Sequence, residues 1–443
     1  MEQHTLFPAH MAEMTLRASR LCEREGYEVL AIHAGQWKRA FLDDIEYPFK
    51  ANPHFKSWCP LDNLPHSWVI FNPLLNKPTL VILHSEAFWY EQPRLSTAPW
   101  LNMFHVELIA RPDQVDSLLP YDKKRSVYIG EHLEVAQALG FEFINPEAAL
   151  NFFSYHRAIK TDYELQCIRR ANEVAIRGHR AVADVWPQGA SEFDCLMAYM
   201  QATQQRECEM HYPPIIGQNE HAAILHYRGK NKLPARAGKH RSLMIDAGAS
   251  YSGYAADISR TYAGKNACSE FKALIKGVEH IGQRLVQKLV PGMAFADLHH
   301  QAHLHIAQLL IQFGLCRLNA EDIVSNQVSH VFMPHGIGHL IGLQVHDVGG
   351  NLANEQGALA PSPKNYPQLK STRLLAPNMA LTIEPGIYFI DSLLHKLQES
   401  EVGRTIHWEK VEALAPYGGI RIEDNIIIHS NRNENVTREL GLG

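Results

Sequence analysis

Residues 243–262 read LMIDAGASYSGYAADISRTY and contain two aspartates, Asp246 and Asp257. Two apolar runs flank a turn rich in glycine, serine and tyrosine, which predicts a β-hairpin. A turn centred on residues 250–253 places Asp246 directly opposite Asp257, with both carboxylates on the same face. Cross-strand neighbours lie about 4.5–5.5 Å apart at Cβ, where like charges repel. The pair therefore requires a proton or a cation between its members.

Three further segments present side chains of the same chemistry. Glu384 follows an apolar run typical of a strand, and Pro385 after it forces an extended backbone at the glutamate. In the motif GIRIEDN, alternation with period two places Arg421 and Glu423 on one face of a strand. His339 lies in HGIGH, which is too rich in glycine for a helix, so its imidazole is presented by a loop or a strand end.

These side chains form a donor set with one imidazole and four carboxylates. Such an oxygen-rich set suits manganese or magnesium-like ions better than metals that prefer thiolates. Four negative charges also exceed the charge of one divalent ion, which favours a centre with two ions. A structural ion pair is an equal alternative for any one residue, but burying all of the acids without cations is costly. The candidate ligands are Asp246, Asp257, His339, Glu384 and Glu423.

In their order along the chain, the aspartate pair and the motifs HGIGH, TIEPG and GIRIEDN resemble the pita-bread metallopeptidases. That family includes methionine aminopeptidase, aminopeptidase P, prolidase and the metal-free creatinase. The chain is most similar to bacterial Xaa-Pro dipeptidases and organophosphorus acid anhydrolases, and the segments 41–50 and 349–378 extend the likeness over nearly the whole chain. The resemblance implies hydrolysis of Xaa-Pro dipeptides with two divalent ions per subunit, best matched by Mn²⁺, and turnover of organophosphate triesters as a side activity.

The resemblance also implies a role for each ligand. In the family, the residue equivalent to Asp246 holds one ion, and those equivalent to His339 and Glu384 hold the other. The residues equivalent to Asp257 and Glu423 bridge both ions. The ions then activate a water that attacks the carbonyl before proline, and Glu384 is expected to carry the proton to the leaving nitrogen.

Other residues are candidates for contacts with the substrate. His226 and His346 match family histidines that contact the substrate and stabilise the oxyanion, although a lone histidine without such a motif is more often structural. Arg421 is the candidate for a bidentate contact with the C-terminal carboxylate of a dipeptide. A plain ion pair with Glu423 or Asp424 is the alternative.

A tyrosine and an acid from the neighbouring subunit shape the pocket for the amino end of the substrate in relatives. Here the candidates are Tyr212 and one of Asp43 and Asp44, and an ordinary surface or turn role is an equal alternative. His335 is expected to orient the metal-binding loop. Relatives of this kind are commonly dimers, so the resemblance implies a homodimer.

Two patterns imitate other sites. The stretch HHQAHLH between His299 and His305 continues into a helical pattern, so we predict a mostly solvated helix face. The glycines of HGIGHLIG miss the spacing of a dinucleotide fingerprint and lack a βαβ setting, so no nicotinamide cofactor is expected.

Composition is that of an ordinary enzyme. With 443 residues, of which 46% are hydrophobic, the chain can form two or three domains. A net charge of −5 and a pI near 6.6 give no reason to expect nucleic acid or an anionic membrane as a partner. Seven cysteines, without a C-x-x-C motif, fit buried thiols in a reducing cytoplasm. We find no secretory signal and no apolar run of membrane length, so we expect a cytoplasmic location.

The chain is predicted to have an α/β (α+β) fold in two domains. A helix over 10–26 and strands at 28–33, 79–84, 104–110 and 126–130 predict a mixed α/β module over residues 1–158. Thr161 and Glu164 then form a capping box at the start of a long helix, and the pita-bread catalytic domain is expected over 159–443. The insert 350–370, which contains three prolines, is predicted to be a loop.

Two alternatives to a dipeptidase stay open. Aminopeptidase P shares the ligands and the N-terminal module but cleaves longer peptides, and the segments 41–50 and 349–378 match dipeptidases more closely. A metal-free relative that acts as a binding module is the other alternative, and the complete ligand set argues against it.

Overall fold

The computed structural model describes residues 2–61, 63–85, 99–235, 239–367 and 369–443. The first part of the chain forms a six-stranded sheet in the order β4-β3-β2-β1-β5-β6, in which β2 is antiparallel to both neighbours and the other pairs are parallel. Its strands are β1 (Val29–His33), β2 (Trp68–Phe71), β3 (Thr79–Leu83), β4 (His105–Ile109), β5 (Ser126–Ile129) and β6 (Phe143–Ile144). Its helices are α1 (Glu2–Glu25), α2 (Pro53–Lys56), α3 (Leu133–Ala138) and α4 (Glu147–Arg157).

Both faces of this sheet are buried at β1, whose successive side chains point in opposite directions. Leu30 and Ile32 belong to the apolar cluster that contains Leu21 of α1. Val29 and Ala31 belong to a second cluster on the opposite face.

Helix α5 (Asp162–Val185) begins at the predicted capping box. The backbone N–H of Glu164 donates to Thr161 Oγ1 at 3.4 Å, and the backbone N–H of Thr161 donates to Glu164 Oε2 at 2.8 Å. The boundary predicted between residues 158 and 159 falls in the short link between α4 and α5, and it stays a prediction.

The rest of the chain combines small antiparallel sheets with helices. Its strands are β7 (Ile215–Gln218), β8 (Ser242–Asp246), β9 (Ser250–Tyr251), β10 (Tyr254–Ala255), β11 (Ser259–Ala263), β12 (Ala380–Ile383), β13 (Gly386–Tyr388), β14 (Gly419–Arg421), β15 (Asp424–Ile428) and β16 (Asn433–Asn435). Its further helices are α6 (Glu192–Thr203), α7 (Ser269–Lys288), α8 (Phe295–Gln312), α9 (Ala320–Ser325), α10 (Val328–Phe332), α11 (Asp391–Gln398), α12 (Trp408–Leu414) and α13 (Val436–Glu439).

The predicted hairpin forms, but its register differs from the predicted one by two residues. Asp246 is paired with Ser259, so Asp257 lies diagonally across from Asp246 and not directly opposite. The strands turn at Ser252 and Gly253, whose φ angles of 49° and 82° are those that a type I′ turn requires. Both aspartates still share one face, because Asp257 and Ser259 are two residues apart.

Isolated β-bridges connect the small sheets of the second part of the chain to neighbouring loops and turns. They form the sheets β11-β8-β7 and β12-β15-β16 and the pairs β9-β10 and β13-β14. A bridge between Ser259 and Glu423 joins the first sheet to the turn between β14 and β15. A bridge between Leu340 and Leu381 fixes the loop of His339 against β12.

This mixed architecture, with an N-terminal α/β module and a C-terminal part of small antiparallel sheets and helices, confirms the predicted fold class. Across the described ranges, no helix is both long enough and apolar enough to cross a membrane.

Candidate metal centre

One cavity of about 620 Å³ is lined by all five predicted metal ligands. They come from separate segments that converge at strand ends. Asp246 ends β8, Asp257 precedes β11, His339 lies in the loop before β12, Glu384 links β12 to β13, and Glu423 links β14 to β15. Asp246 is held within a paired strand, and Glu423 and the residue after His339 form isolated β-bridges, so pairing between segments brings these side chains together.

The imidazole and the carboxylates face one another at short range. The ligand atoms of Asp257, His339 and Glu423 all lie within 4.8 Å of one another, and His339 Nε2 is 3.8 Å from Glu384 Oε1. Burial lowers the pKa of His339 to about 4, so the ring is neutral at neutral pH. Its Nδ1–H donates to the carbonyl oxygen of Leu340 at 3.0 Å, which leaves the lone pair on Nε2. A lone pair that faces carboxylates is repelled unless a cation lies between them.

The carboxylates that face His339 are also in an environment with too little positive charge to balance them. Burial, and then the neighbouring carboxylates, raise the pKa values of Asp257, Glu384 and Glu423 well above their usual range. Glu423 Oε1 is buried and has no hydrogen-bond partner among the described residues. Divalent cations relieve both the repulsion and the unpaired oxygen, so the residues present fit the predicted centre.

Close approach of two backbones holds His339 in place. The backbone N–H of His339 donates to Thr382 Oγ1 at 3.1 Å, and the N–H of Thr382 donates to the carbonyl oxygen of His339 at 2.9 Å. A Cβ at Gly338 would lie 2.0 Å from the carbonyl oxygen of Thr382, so only glycine fits there.

Tyr212 contacts the aspartate pair. Its hydroxyl oxygen lies 2.8 Å from Asp246 Oδ1 and 2.5 Å from Asp257 Oδ1. Burial and the two carboxylates raise the pKa of Tyr212 well above its usual value, so the hydroxyl keeps its proton and donates to one of them. Asp43 and Asp44 are exposed and do not line the described cavity of their own chain.

Arg421 is buried beside the centre with each of its three nitrogen atoms engaged. Nε donates to Ser259 Oγ at 3.1 Å, Nη1 to Tyr388 Oη at 2.9 Å, and Nη2 to Asp246 Oδ2 at 2.6 Å. These contacts favour the ion-pair interpretation of Arg421 over the contact with a substrate carboxylate. The partner is Asp246, whereas the sequence suggested Glu423 or Asp424.

His346 and Lys370 form the wall of the cavity next to His339. The rings of His339 and His346 meet edge to face at 4.3 Å. Lys370 Nζ is 3.0 Å from His346 Nδ1, and both residues line the cavity. Burial, and then His339 and Lys370, lower the pKa of His346 to about 3. Sequence reasoning missed Lys370, because a lysine in a proline-rich loop has no periodicity or motif that marks it.

His335 lies between Tyr388 and the candidate ligand Glu384. Its Nε2 is 2.9 Å from Tyr388 Oη, and its Nδ1 is 3.6 Å from Glu384 Oε2. Burial, and then Arg421, lower the pKa of His335 to about 4. These contacts fit the orienting role predicted for it.

His226 lines the cavity from a loop that a buried glutamate organises. Glu192 is about 1% exposed and accepts hydrogen bonds from His221 Nδ1 at 2.7 Å and from Tyr227 Oη at 2.8 Å. It also accepts from the backbone N–H of Asn231 at 2.7 Å. Glu192 therefore holds the loop on both sides of His226, and no sequence pattern marks it.

The histidine-rich stretch of α8 is placed differently from the prediction. His299 and His303 are about 4% and 1% exposed and line the cavity, whereas His300 is exposed. The prediction of a mostly solvated helix face is therefore wrong for these two residues. They are four residues apart and so share the inner face of the helix.

Two family models match the chain. The model described as "Xaa-Pro dipeptidase, N-terminal domain" matches residues 5–155, and "Metallopeptidase family M24" matches residues 166–430. The chain is 49% identical to Xaa-Pro dipeptidase 1 of Idiomarina loihiensis over 437 residues, which covers 99% of this chain and 96% of the relative. It is also 49% identical to Xaa-Pro dipeptidase of Pseudoalteromonas translucida, with 99% and 98% of the two chains covered.

Solved structures of aminopeptidase P have the same fold. Proline aminopeptidase P II from Yersinia pestis aligns with a TM-score of 0.72 at 21% identity, over 99% of this chain and 96% of that one. Aminopeptidase P from E. coli with the inhibitor Pro-Leu aligns with a TM-score of 0.73 at 20% identity, over 99% and 95% of the two chains. Identity at this level establishes the fold alone.

The donor set and these matches define a metal-dependent hydrolase, which sets aside the metal-free binding module. The chain belongs to metallopeptidase family M24, and its N-terminal part to the Xaa-Pro dipeptidase N-terminal domain.

Proposed function

We propose that this chain hydrolyses Xaa-Pro dipeptides at a centre of two divalent metal ions. The observation that supports the proposal best is the meeting of four carboxylates and one neutral imidazole in a single cavity. The relatives that are 45–49% identical over nearly the whole chain are named Xaa-Pro dipeptidases.

The five ligands provide enough negative charge for two ions. When bound, such ions lower the pKa of a water and polarise the carbonyl that it attacks. Oxygen ligands in this excess favour Mn²⁺ over ions that prefer nitrogen or sulfur. The ligand set is Asp246, Asp257, His339, Glu384 and Glu423, as predicted from the sequence.

The reaction also requires groups that move protons and stabilise charge. Glu384 is placed to accept a proton from the attacking water and to pass it to the leaving proline nitrogen, which must be protonated to depart. His346 and His226 line the cavity and can donate a hydrogen bond to the developing oxyanion.

A dipeptidase must also recognise the free carboxylate of its substrate. We assign this role to Lys370 and not to Arg421. Both residues line the cavity, but all three nitrogen atoms of Arg421 donate to buried protein groups, whereas the hydrogen-bond partner of Lys370 Nζ is the ring of His346, itself a cavity residue. Burial lowers the pKa of Lys370, whereas Glu384, Asp257 and Glu423 favour its charged form. At the amino end of the substrate, Tyr212 acts by holding the aspartate pair.

The test is turnover of three substrates by the Mn²⁺-loaded chain: Xaa-Pro, its C-terminal amide and the tripeptide Xaa-Pro-Yaa. Much faster cleavage of the free dipeptide than of the amide and the tripeptide is the expected result. Cleavage of the tripeptide at a similar rate would move the assignment to aminopeptidase P. No cleavage of any of the three would overturn both.

The activity of an aminopeptidase P stays a second candidate, because a second cavity adjoins the cavity of the metal centre. A second cavity of about 350 Å³ shares Gln327, His330, Asn365 and Tyr366 with the first, so a longer peptide has space beyond the centre. We also propose slow turnover of organophosphate triesters, since the same activated water can attack phosphorus.

We propose that the chain works as a homodimer in the cytoplasm. Phe41 and Leu42 are 88% and 91% exposed next to Asp43 and Asp44, and a second subunit is the natural cover for this apolar segment. All seven cysteines are free thiols, which suits a reducing compartment. Light scattering of the wild-type chain and of Leu42→Ser tests the dimer, and a wild-type mass of one subunit would overturn it.

A further inference from the structure

A pair of buried histidines on α8 has no part in the function proposed above. His299 and His303 lie one helical turn apart on the same face, and their Nε2 atoms are 3.2 Å apart. Both line the cavity of the carboxylate centre, so ions and water from that cavity can reach them.

The separation of the two nitrogen atoms is the separation found between two ligands of one ion. Imidazole nitrogens bind zinc at about 2.0–2.1 Å in tetrahedral sites, which places two of them about 3.3 Å apart. The pair therefore needs almost no rearrangement to accept an ion.

Their surroundings keep both rings neutral and orient one of them. Burial, and then neighbouring histidines, lower the pKa values of His299 to about 3 and of His303 to about 2. His303 Nδ1 lies 3.0 Å from Oγ of the buried Ser329, which can accept a hydrogen bond from Nδ1–H and so leave the lone pair on Nε2. Metal-binding histidines are commonly oriented by such a contact on the second nitrogen.

The hydrogen-bond partners of the two rings also indicate which nitrogen of His299 carries its proton. If His303 carries its proton on Nδ1, His299 donates its Nε2–H to His303 Nε2. His299 Nδ1 is then a bare acceptor, which agrees with its lack of a hydrogen-bond partner among the described residues. The opposite arrangement would bury an unpaired N–H donor, which costs more.

We propose that His299 and His303 bind one borderline transition-metal ion, such as Zn²⁺, Ni²⁺ or Cu²⁺, at a site separate from the carboxylate centre. Two neutral nitrogen ligands suit these ions better than Mn²⁺. When the ion binds, the proton between the Nε2 atoms moves to His299 Nδ1, so no proton is released. The two metal–nitrogen bonds then outweigh the cost of the unpaired N–H that this shift buries. The other coordination positions are open to water from the cavity.

The first test counts bound ions in the full chain. The wild type, His299→Gln, His303→Gln and the control His305→Gln are saturated with Mn²⁺, exposed to Zn²⁺ and passed through gel filtration. Total metal per chain is then measured by elemental analysis. His305 is on the same helix and bonds Gln308, so its loss controls for removal of an imidazole.

The expected result is one ion fewer per chain in His299→Gln and His303→Gln than in the wild type and His305→Gln. Equal totals in all four proteins would overturn the proposal. The result is a difference between variants, so it does not depend on how many ions the carboxylate centre holds or on which peptides are cleaved.

A second measurement needs no variant and therefore does not depend on variant folding. The metal-free wild type receives less than one equivalent of Cu²⁺, and the nitrogen splitting of its electron paramagnetic resonance spectrum is recorded. Coupling to two nitrogens is expected at the His299 and His303 pair. Coupling to one nitrogen would place this first ion at the carboxylate centre, where His339 is the single candidate imidazole ligand. Coupling to one nitrogen that persists as Cu²⁺ is raised to about three equivalents would overturn the proposal.

Discussion

Lys160 Nζ donates to Asp347 Oδ2 at 2.8 Å, and each side chain is only about 1% exposed. Arg157 donates to the other carboxylate oxygen. Asp347 follows His346 directly in the chain, so this ion pair joins the end of the N-terminal part to the loop that lines the centre. These ion pairs of Asp347 therefore fix the backbone at the neighbouring His346.

We expect Asp347→Asn to destabilise the protein strongly. The substitution leaves two buried cations without a counter-ion, which typically costs about 3–5 kcal/mol. The free energy of unfolding is measured with urea. Asp113→Asn is the control, because Asp113 pairs with Arg111 at the surface, where both side chains are about 70% exposed, and should change stability by less than about 1 kcal/mol. An equal loss in both variants would contradict this account.

The ion pairs of Asp347 with Arg157 and Lys160 also make the stability of the protein depend on pH in the acid range. Burial would raise the pKa of Asp347, but Arg157 and Lys160 outweigh burial and lower it to about 2 from 3.8. A lowered pKa in the folded state stabilises the protein above about pH 4, and this contribution is lost as the pH falls toward 2. The shift corresponds to about 2 kcal/mol. Roughly half of it should be gone at pH 3, so the stability difference between the wild type and Asp347→Asn should narrow from pH 7 to pH 3; a constant difference would contradict this.

The sequence was sufficient to find the five candidate ligands because each lies in a short motif at a strand end. It was not sufficient to give the hairpin register, since several adjacent small residues could form the turn. The structure selects Ser252 and Gly253, which adopt positive φ. The α/β class of the N-terminal part followed from the pattern of elements, and the class of the C-terminal part followed from the resemblance to the pita-bread metallopeptidases. The capping box at Thr161 located the start of α5 correctly.

The burial of His299 and His303 and the position of Lys370 beside the cavity were not predicted, and both have the same cause. Helical periodicity shows that His299 and His303 share a face, but it does not show which face is buried when histidines occur on several sides. Lys370 lies in a segment without regular structure, so no period connects it to the cavity. Both positions are determined by tertiary packing against distant segments, and a single sequence does not contain that information.

Glu192→Gln should impair catalysis through His226. The new amide group faces donors that need an acceptor, and each buried donor left unpaired costs about 1–3 kcal/mol. Loosening the loop should lower kcat/KM by about 10-fold or more, because small displacements of contact groups are costly. Glu220→Gln, at a side chain that is 63% exposed, is the control. In a His226→Ala background the same substitution should have little further effect, and additive losses would show that Glu192 acts elsewhere.

Removal of metal should make the stability of the protein fall more steeply as the pH rises. In the metal-free chain the pKa values of Asp257, Glu384 and Glu423 are raised well above 3.8 and 4.5. The folded state then binds more protons than the unfolded state above about pH 4, so stability falls as the pH rises. We expect a lower Tm at pH 8 than at pH 5.5 in chelator, and a smaller difference with Mn²⁺. Asp257→Asn in chelator should flatten the slope, and an unchanged slope would contradict its origin in these acids.

Lys370→Met should weaken binding of the free dipeptide specifically. Loss of a hydrogen bond to a charged group costs about 1.5–3 kcal/mol, which corresponds to a rise in KM of roughly 10- to 100-fold. The C-terminal amide of the same dipeptide lacks the carboxylate, so its KM should hardly change. Lys364→Met is the matched control, because Lys364 lines the same cavity from the same insert. If Lys370→Met raised KM equally for acid and amide, the lysine would act on the cavity as a whole, and the carboxylate would have to be bound by another group.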